Sequence, residues 1–512
     1  MSSSQGIAKN TMFLYIRMFL TLLVTLYTSR VVLKALGVSD YGLYSIVGGV
    51  VSMFGFFNMA MASATQRFLS FEIGAKNFIK LNKTFVTSIN IHIGIALLVI
   101  VLAETFGLWF VNNKLNVDPN RIFVLNWVYQ FSILSLCIKI IQVPYNALVI
   151  AREKMNIYAV LSVIEVVLKL LAVFVLLKVH DFDKLKLYSI LVFVVTFFIG
   201  LFYRIYCVRH FTESKYKYFY DKDLYKELMS FSGWSLFGNL AAVARGQGSN
   251  ILLNIFFGTV VNAAYGISLQ VNSAVKQFVS SFQVALNPQI IKTYAKGDFE
   301  QNQRLILQGS KFSFFLLFII MCPIWIHINF VLDLWLVNPP ELTSVFVRLA
   351  MISLLIDSIS GSIMIGIQAT GKIKMYQIII GTTILLDMPI TYLVLSVWDR
   401  PEYSFFVTIG ITFSTLFLRF FFLKKLINIR VVDFIKNVLF KIILVSSLSI
   451  LALYIYNNYF EITEKWFSVI FSSIFTLIIN ISLITLFGFD KAEKILLKRI
   501  INEKFFQKNI RR

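Results

Sequence analysis

Ionisable residues interrupt the long apolar stretches of this chain at a small number of places. The basic ones are Arg17, Arg30, Lys139, Lys169, Arg245, Lys276, Arg419 and Lys441, and the acidic ones are Glu104, Glu165, Asp357 and Asp387. A charge in an apolar segment costs several kcal/mol unless it faces a partner or a wet cavity, so each is a candidate functional group. Glu165 and Lys169 are spaced i, i+4 and can neutralise one another on one helix face. Arg419 and Lys441 fall near segment ends and are expected to snorkel. Arg17, Lys139, Arg245 and Lys276 have no acid at helical spacing. Together with Arg30, they form a candidate cationic site, and the chemistry of such a site is the binding of an anion. Arg245 lies in ARGQGSN, a glycine-interrupted polar stretch of the sort that lines a cavity. Asp357 and Asp387 are the acids available for ion coupling.

The elements that position these groups follow from composition. The 512 residues are 58% hydrophobic and only 14% charged, outside the range of soluble domains. Apolar runs recur at membrane-spanning length, about fourteen of them by a window of roughly 19 residues. The expected class is therefore an all-α, polytopic membrane protein. The first apolar segment is of full span length with no small-residue cleavage site after it, so it is expected to remain in the protein. The net charge of +22 sits in short loops and the tail, with no nucleic-acid motif nearby, and no nucleic-acid partner is expected. Loops after even-numbered spans carry the Lys and Arg, which places both termini in the cytoplasm. Cys137, Cys207 and Cys322 have no metal-type spacing and are expected to pack as small apolar residues.

An internal repeat organises the spans. Gly37 is followed by Tyr41-Gly42, and Gly258 by Tyr265-Gly266, each at a turn between apolar helices; the first hairpin then exits through Arg67. KMNIY at 154–158 and KIKMY at 372–376 are related by nearly the same offset as the Tyr-Gly pairs. One offset joining separate landmarks indicates duplication. The expected organisation is a six-helix lobe over 1–210, a basic linker over 211–230 and a second six-helix lobe over 231–430. Two additional helices over 431–490 and a basic tail over 491–512 complete it. Gly37, Tyr41, Gly42, Arg67, Tyr265 and Gly266 are the candidate turn and gate residues. The Tyr- and Lys-rich linker either lies on the anionic leaflet or is an ordinary solvated connection.

The pattern Arg30…Leu36-Gly37-Val38-Ser39-Asp40-Tyr41-Gly42-Leu43-Tyr44, followed by Ala64-Thr65-Gln66-Arg67, resembles the N-terminal signature of Wzx-type polysaccharide flippases. These belong to the multidrug/oligosaccharidyl-lipid/polysaccharide exporter superfamily. The family often has Pro after the Leu of the first turn, where this chain has Gly37-Val38. The resemblance implies a V-shaped pair of helical bundles. It also implies movement of an undecaprenyl-diphosphate-linked oligosaccharide between leaflets, as for O-antigen or capsule. The implied partners are that lipid-linked glycan, membrane lipid and other polysaccharide-assembly membrane proteins. Lipid II flippases of the same superfamily are an alternative, as is a multidrug or cation antiporter using Asp357 or Asp387. No nucleotide-binding signature is present, no cofactor is expected, and no outward loop is long enough to suggest an enzyme.

Overall fold

Two glycines divide the longest helical runs of the molecule. The run Ser3–Phe54 breaks at Gly37 (φ 79°, ψ 170°), and the run Lys222–Ala295 breaks at Gly258 (φ 78°, ψ −167°). That backbone region is essentially reserved for glycine, because any Cβ would clash with its own peptide. The expected turns are thus single-residue breaks, and Tyr41-Gly42 and Tyr265-Gly266 lie inside the helices that follow them. The computed structural model describes residues 3–113, 119–179, 181–336, 339–459, 466–491 and 493–495. Residues 460–465 and the part of the basic tail beyond residue 495 lie outside the described residues.

With the long runs divided, the first six membrane-length helices are α1 (Gly6–Gly37), α2 (residues 38–74), α3 (Phe78–Asn113), α4 (Pro119–Ala151), α5 (Met155–Lys178) and α6 (Lys184–His210). The next six are α7 (residues 222–257), α8 (residues 259–295), α9 (Phe299–Ile326), α10 (Thr343–Ala369), α11 (Lys374–Val397) and α12 (Tyr403–Ile427). Then come α13 (Val431–Tyr456) and α14 (Trp466–Gly488). Eleven of these are long and apolar enough to cross a membrane by length and composition alone. The other three are α2, interrupted at Gly55, and the polar helices α7 and α8. The protein is an all-helical polytopic membrane protein built from two six-helix repeats and two further helices.

The duplication is written in the backbone. Gly37 and Gly258 share one rare conformation. After the second helix of each repeat, Lys76 and Gly297 are both left-handed, and the next residues, Asn77 and Asp298, each cap the following helix. After the fourth helix, Glu153 and Gly371 are both left-handed. The register that superposes Lys154 on Lys372 also superposes Lys139 on Asp357 and Lys169 on Asp387. The repeats therefore share geometry while inverting charge at these two equivalent positions.

The lobes meet along two seams. On one, Phe278 of α8 packs edge-on against Phe19 of α1, and Leu14 clusters with Ala285. On the other, Phe68 of α2 meets Phe231 of α7 with ring centroids 5.5 Å apart. At the end carrying the basic loops, Arg67 of α2 is buried and crosses between lobes. Its Nε donates to the Gln368 carbonyl (3.1 Å) and its Nη2 to the Ala369 carbonyl (2.9 Å). The counterpart in the other direction joins Lys292 and Gln289 of α8 to the carboxylate of Glu153. The basic end is closed by two pseudo-symmetric clasps.

The connection between lobes is pinned rather than free. Asn82 donates to the carbonyls of Glu213 (2.7 Å) and Lys215 (3.1 Å), and Arg152 pairs with the Glu213 carboxylate. Helix α7 begins at Lys222, within the stretch expected to be linker. Lys441 of α13 does not snorkel. It pairs with Asp490, which with Glu493 also holds the buried Lys311 of α9, fastening the two added helices to the second lobe.

Candidate functional site

Polar residues recur at helical spacing on four helices of the second lobe, and the fold turns those stripes towards one another. On α12 the stripe is Thr408, Thr412, Thr415 and Arg419; on α10 it is Ser353, Asp357, Ser360 and Gln368. Helix α7 contributes Ser235, Asn239, Arg245 and Ser249, and α8 contributes Tyr265, Asn272, Lys276 and Gln283. Where the stripes converge, two adjoining chambers share a charged neck formed by Arg245, Lys276 and Asp357.

The first chamber, of about 230 Å³, is further lined by Ser249, Tyr265, Asn272, Ser273, Thr408 and Thr412. The second, of about 380 Å³, lies towards the basic end and is rich in amides and hydroxyls: Ser63, Asn239, Gln283, Ser360, Gln368, Tyr376 and Gln377 all line it. Arg419 also lines this chamber. The expectation that it snorkels is overturned: the side chain is 7% exposed and fixed from several directions. Its Nη1 donates to Ser360 Oγ (2.8 Å) and Thr415 Oγ1 (3.4 Å), and its Nε to Tyr376 Oη (3.2 Å). Asp357 Oδ1 stands 3.9 Å from the same guanidinium. The stripe on α12 was the signal for Arg419, because a snorkelling residue needs no aligned threonines beneath it.

The other candidates divide between the lobes. Arg245 and Lys276 stand together at the neck, and Arg245 Nη1 donates to Thr412 Oγ1 at 3.5 Å. Arg17 belongs to the first lobe, with its guanidinium carbon 4.6 Å above the Tyr158 ring and its Nε buried without a hydrogen-bond partner. Lys139 is exposed, within electrostatic reach of the Glu165–Lys169 pair, whose atoms are 2.5 Å apart. Arg30 is exposed on α1. Arg17, Arg30 and Lys139 line neither chamber, so the structure does not gather all the expected cations in one central site. Asp387 is fully buried beside the first chamber; it accepts from Thr391 Oγ1 (3.4 Å), and its other oxygen has no hydrogen-bond partner.

Of the turn and gate candidates, Tyr265 lines the first chamber and donates to the Gly246 carbonyl (3.3 Å), while Arg67 forms the inter-lobe clasp. Gly42 and Gly266 have open space around them, and Tyr41 packs in a small apolar cluster. Outside the chambers, an apolar groove of about 610 Å³ runs between α1, α8, α9 and α14. Its walls include Tyr15, Phe19, Phe282 and Phe315, and Arg304 and Gln308 also line it.

Two repeated helical bundles around a polar interior define a membrane transporter. The MatE family model matches residues 14–175 and 235–393, one segment in each repeat. The chain belongs to the MatE family of transporters. No curated protein sequence matches the chain. Among solved structures, it is similar to an outward-facing multidrug resistance MATE family transporter of the MOP superfamily. That pair has a TM-score of 0.73 and 11% identity, over 83% of this chain and 96% of the other. A MATE in complex with MaL6 gives a TM-score of 0.70 and 12% identity, over 84% and 99%. A MOP superfamily transporter from Pyrococcus furiosus Vc1 (DSM3638) gives 0.68 and 11%, over 84% and 98%. That protein is described as having a binding pocket of reverse polarity that suggests a different function. At these identities the likeness shows the fold.

Proposed function

We propose that the protein is a flippase that moves a polyprenyl-diphosphate-linked oligosaccharide from the cytoplasmic to the outer leaflet of a bacterial inner membrane. The observation that carries this reading is the polarity of the chambers: Arg245, Lys276 and Arg419 line them against a single lining carboxylate, Asp357. A diphosphate and a hydroxyl-rich head cannot cross hydrocarbon unaided, because their charges and hydrogen-bonding groups would be stripped of water. Arginine replaces that water by forked pairing to phosphate oxygens, and lysine by point charge. The amide and hydroxyl groups of the second chamber suit the sugars, and the apolar groove along α1 and α8 suits the polyprenyl chain. A pocket of reversed polarity described for another MOP superfamily transporter fits the idea that this fold accepts cargo of opposite charge.

The positive-inside rule assigns the basic end to the cytoplasm. The Arg67 and Glu153 clasps then close the cytoplasmic side, and transport requires the lobes to rock until those clasps part. Two negative charges leaving a negative cytoplasm gain roughly 4–5 kcal/mol per 100 mV, so membrane potential alone is a sufficient driving force. The testing experiment is gene deletion and complementation, scoring surface glycan and accumulated lipid-linked precursor. Arg245→Gln is expected to abolish rescue, whereas Lys424→Ala, an exposed lysine near the basic end, is expected to rescue fully. Equal rescue by both sinks the proposal. Accumulation of peptidoglycan precursor instead of surface-glycan precursor selects the lipid II alternative.

A second reading is favoured by Asp387, a buried carboxylate with an unpartnered oxygen. An acid in that position serves an antiporter of cationic drugs by exchanging a proton or metal cation for its cargo. Dye export that is lost in Asp387→Asn, with surface glycan unaffected, is the outcome that selects it.

A further inference from the structure

We infer that Asp357 is an internal counter-anion: it occupies the cations of the binding site until the phosphate of the cargo displaces it, and so limits how tightly that phosphate is held. The inference rests on the anionic-head reading and deepens it. Asp357 lines both chambers, in the neck it shares with Arg245 and Lys276, and its Oδ1 stands 3.9 Å from Arg419. Its side chain is 41% exposed to the chamber, while that of Arg419 is 8% exposed. The carboxylate is therefore reachable by a solute and the cation lies behind it. A separation of 3.9 Å falls at the outer edge of an ion pair and lacks the forked hydrogen bonding of a locked one.

Arg419 does not need Asp357 to stay in place. Ser360, Thr415 and Tyr376 fix its guanidinium independently, so removing the carboxylate leaves a preorganised cation. Without any anion, three cations around a low-dielectric neck would repel one another, and Asp357 offsets part of that charge in the empty protein. An incoming phosphate supplies the same service and releases the carboxylate. Exchange of one anion for another gains less than binding to bare cations would, which keeps the cargo releasable on the far side. Because the carboxylate sits in the neck, the exchange places the phosphate between the amide-rich chamber and the first chamber. The position of Asp357 is occupied by Lys139 in the other repeat, so a second such site is not built there.

The test is calorimetric binding of inorganic pyrophosphate to the purified full-length chain at fixed ionic strength. Asp357→Asn, nearly isosteric, and Asp357→Ser are compared with the natural protein and with the double variant Arg245→Gln/Lys276→Gln, and thermal melting confirms that each is folded. The inference expects both Asp357 variants to bind about tenfold tighter, since a competing charge at ion-pair distance has been removed. It also expects slower turnover of lipid-linked glycan in the same variants. Unchanged, weaker or undetectable pyrophosphate binding by the Asp357 variants overturns the inference. If those variants fail to bind more tightly while the double variant still loses pyrophosphate, only the counter-anion role falls. If the double variant binds as well as the natural protein, the anionic site itself is wrong.

Discussion

Lys311 lies in the interior of the second lobe with 2% exposure, and its partner Glu493 is nearly as buried at 6%. Their contact is 2.7 Å, and Asp490 adds a second carboxylate at 3.3 Å. A buried charge whose partner is removed is left uncompensated, so Lys311→Met is expected to cost about 3 kcal/mol. Adding Glu493→Leu should recover most of that, because an apolar pair replaces an ionic one; denaturant unfolding in detergent measures both. The same cluster carries a pH signature. Burial works to raise the Asp490 pKa, but the hydrogen bond from Lys441 and the charge of Lys311 outweigh it and hold the group below its ordinary 3.8. A depressed carboxylate stabilises fully above its ordinary value and loses that contribution as pH falls through the depressed one. Melting temperature should therefore drop on acidification below about pH 4, and Asp490→Asn should flatten that part of the profile. Individual charges were legible in the sequence as exceptions to an apolar background, and so was the i, i+4 pair Glu165–Lys169, but partners distant in sequence were not. Lys441 and Arg419 looked alike as charges near helix ends, yet one is tied to Asp490 and the other faces the second chamber among three helices. The threonine stripe on α12 sets Arg419 apart in the sequence, but only tertiary contact reveals the partner of Lys441.

At the scale of elements, Gly258 sets where α7 ends and α8 begins. Gly258→Ala places a Cβ on a backbone of φ 78° and is expected to destabilise by about 1–3 kcal/mol. Gly37→Ala should behave alike, since its backbone has the same conformation, and paired thermal melts compare the two. The clasp at the basic end couples directly to the second chamber through one residue. The Gln368 carbonyl accepts from Arg67, and its side-chain oxygen accepts from Ser63 at 3.3 Å, while the same side chain lines the chamber. Arg67→Ala is expected to expose the basic end. A cysteine introduced at Ala64, which is fully buried, should then react several-fold faster with a water-soluble thiol reagent. An unchanged rate would contradict the clasp. The glycines and the repeated helix starts were readable because they are local. The clasp was not, because Arg67 binds main-chain carbonyls, which leave no trace in residue type.

The molecule is built on two copies of one six-helix plan that carry different chemistry, with two further helices, α13 and α14, added to the second. Lys139 and Lys169 occupy the positions that Asp357 and Asp387 hold in the other copy, and every charged residue lining the chambers belongs to the second lobe, the first contributing Ser63. Duplication supplies the shared geometry, and divergence confines the cationic lining to one of the two copies. The polar stripes on α7, α8, α10 and α12 could be aligned from sequence, but which lobe's stripes met around a void depended on packing. The measurement that bears most directly on this account uses the full chain in liposomes containing a polyprenyl-diphosphate-linked oligosaccharide. A membrane-impermeant glycosidase reports the fraction of glycan moved between leaflets, with and without an imposed potential. The account predicts translocation that quickens when the compartment facing the basic end is negative and is lost in Arg245→Gln/Lys276→Gln. Glycan that stays in its original leaflet, in liposomes where the same protein moves a cationic dye, would contradict it.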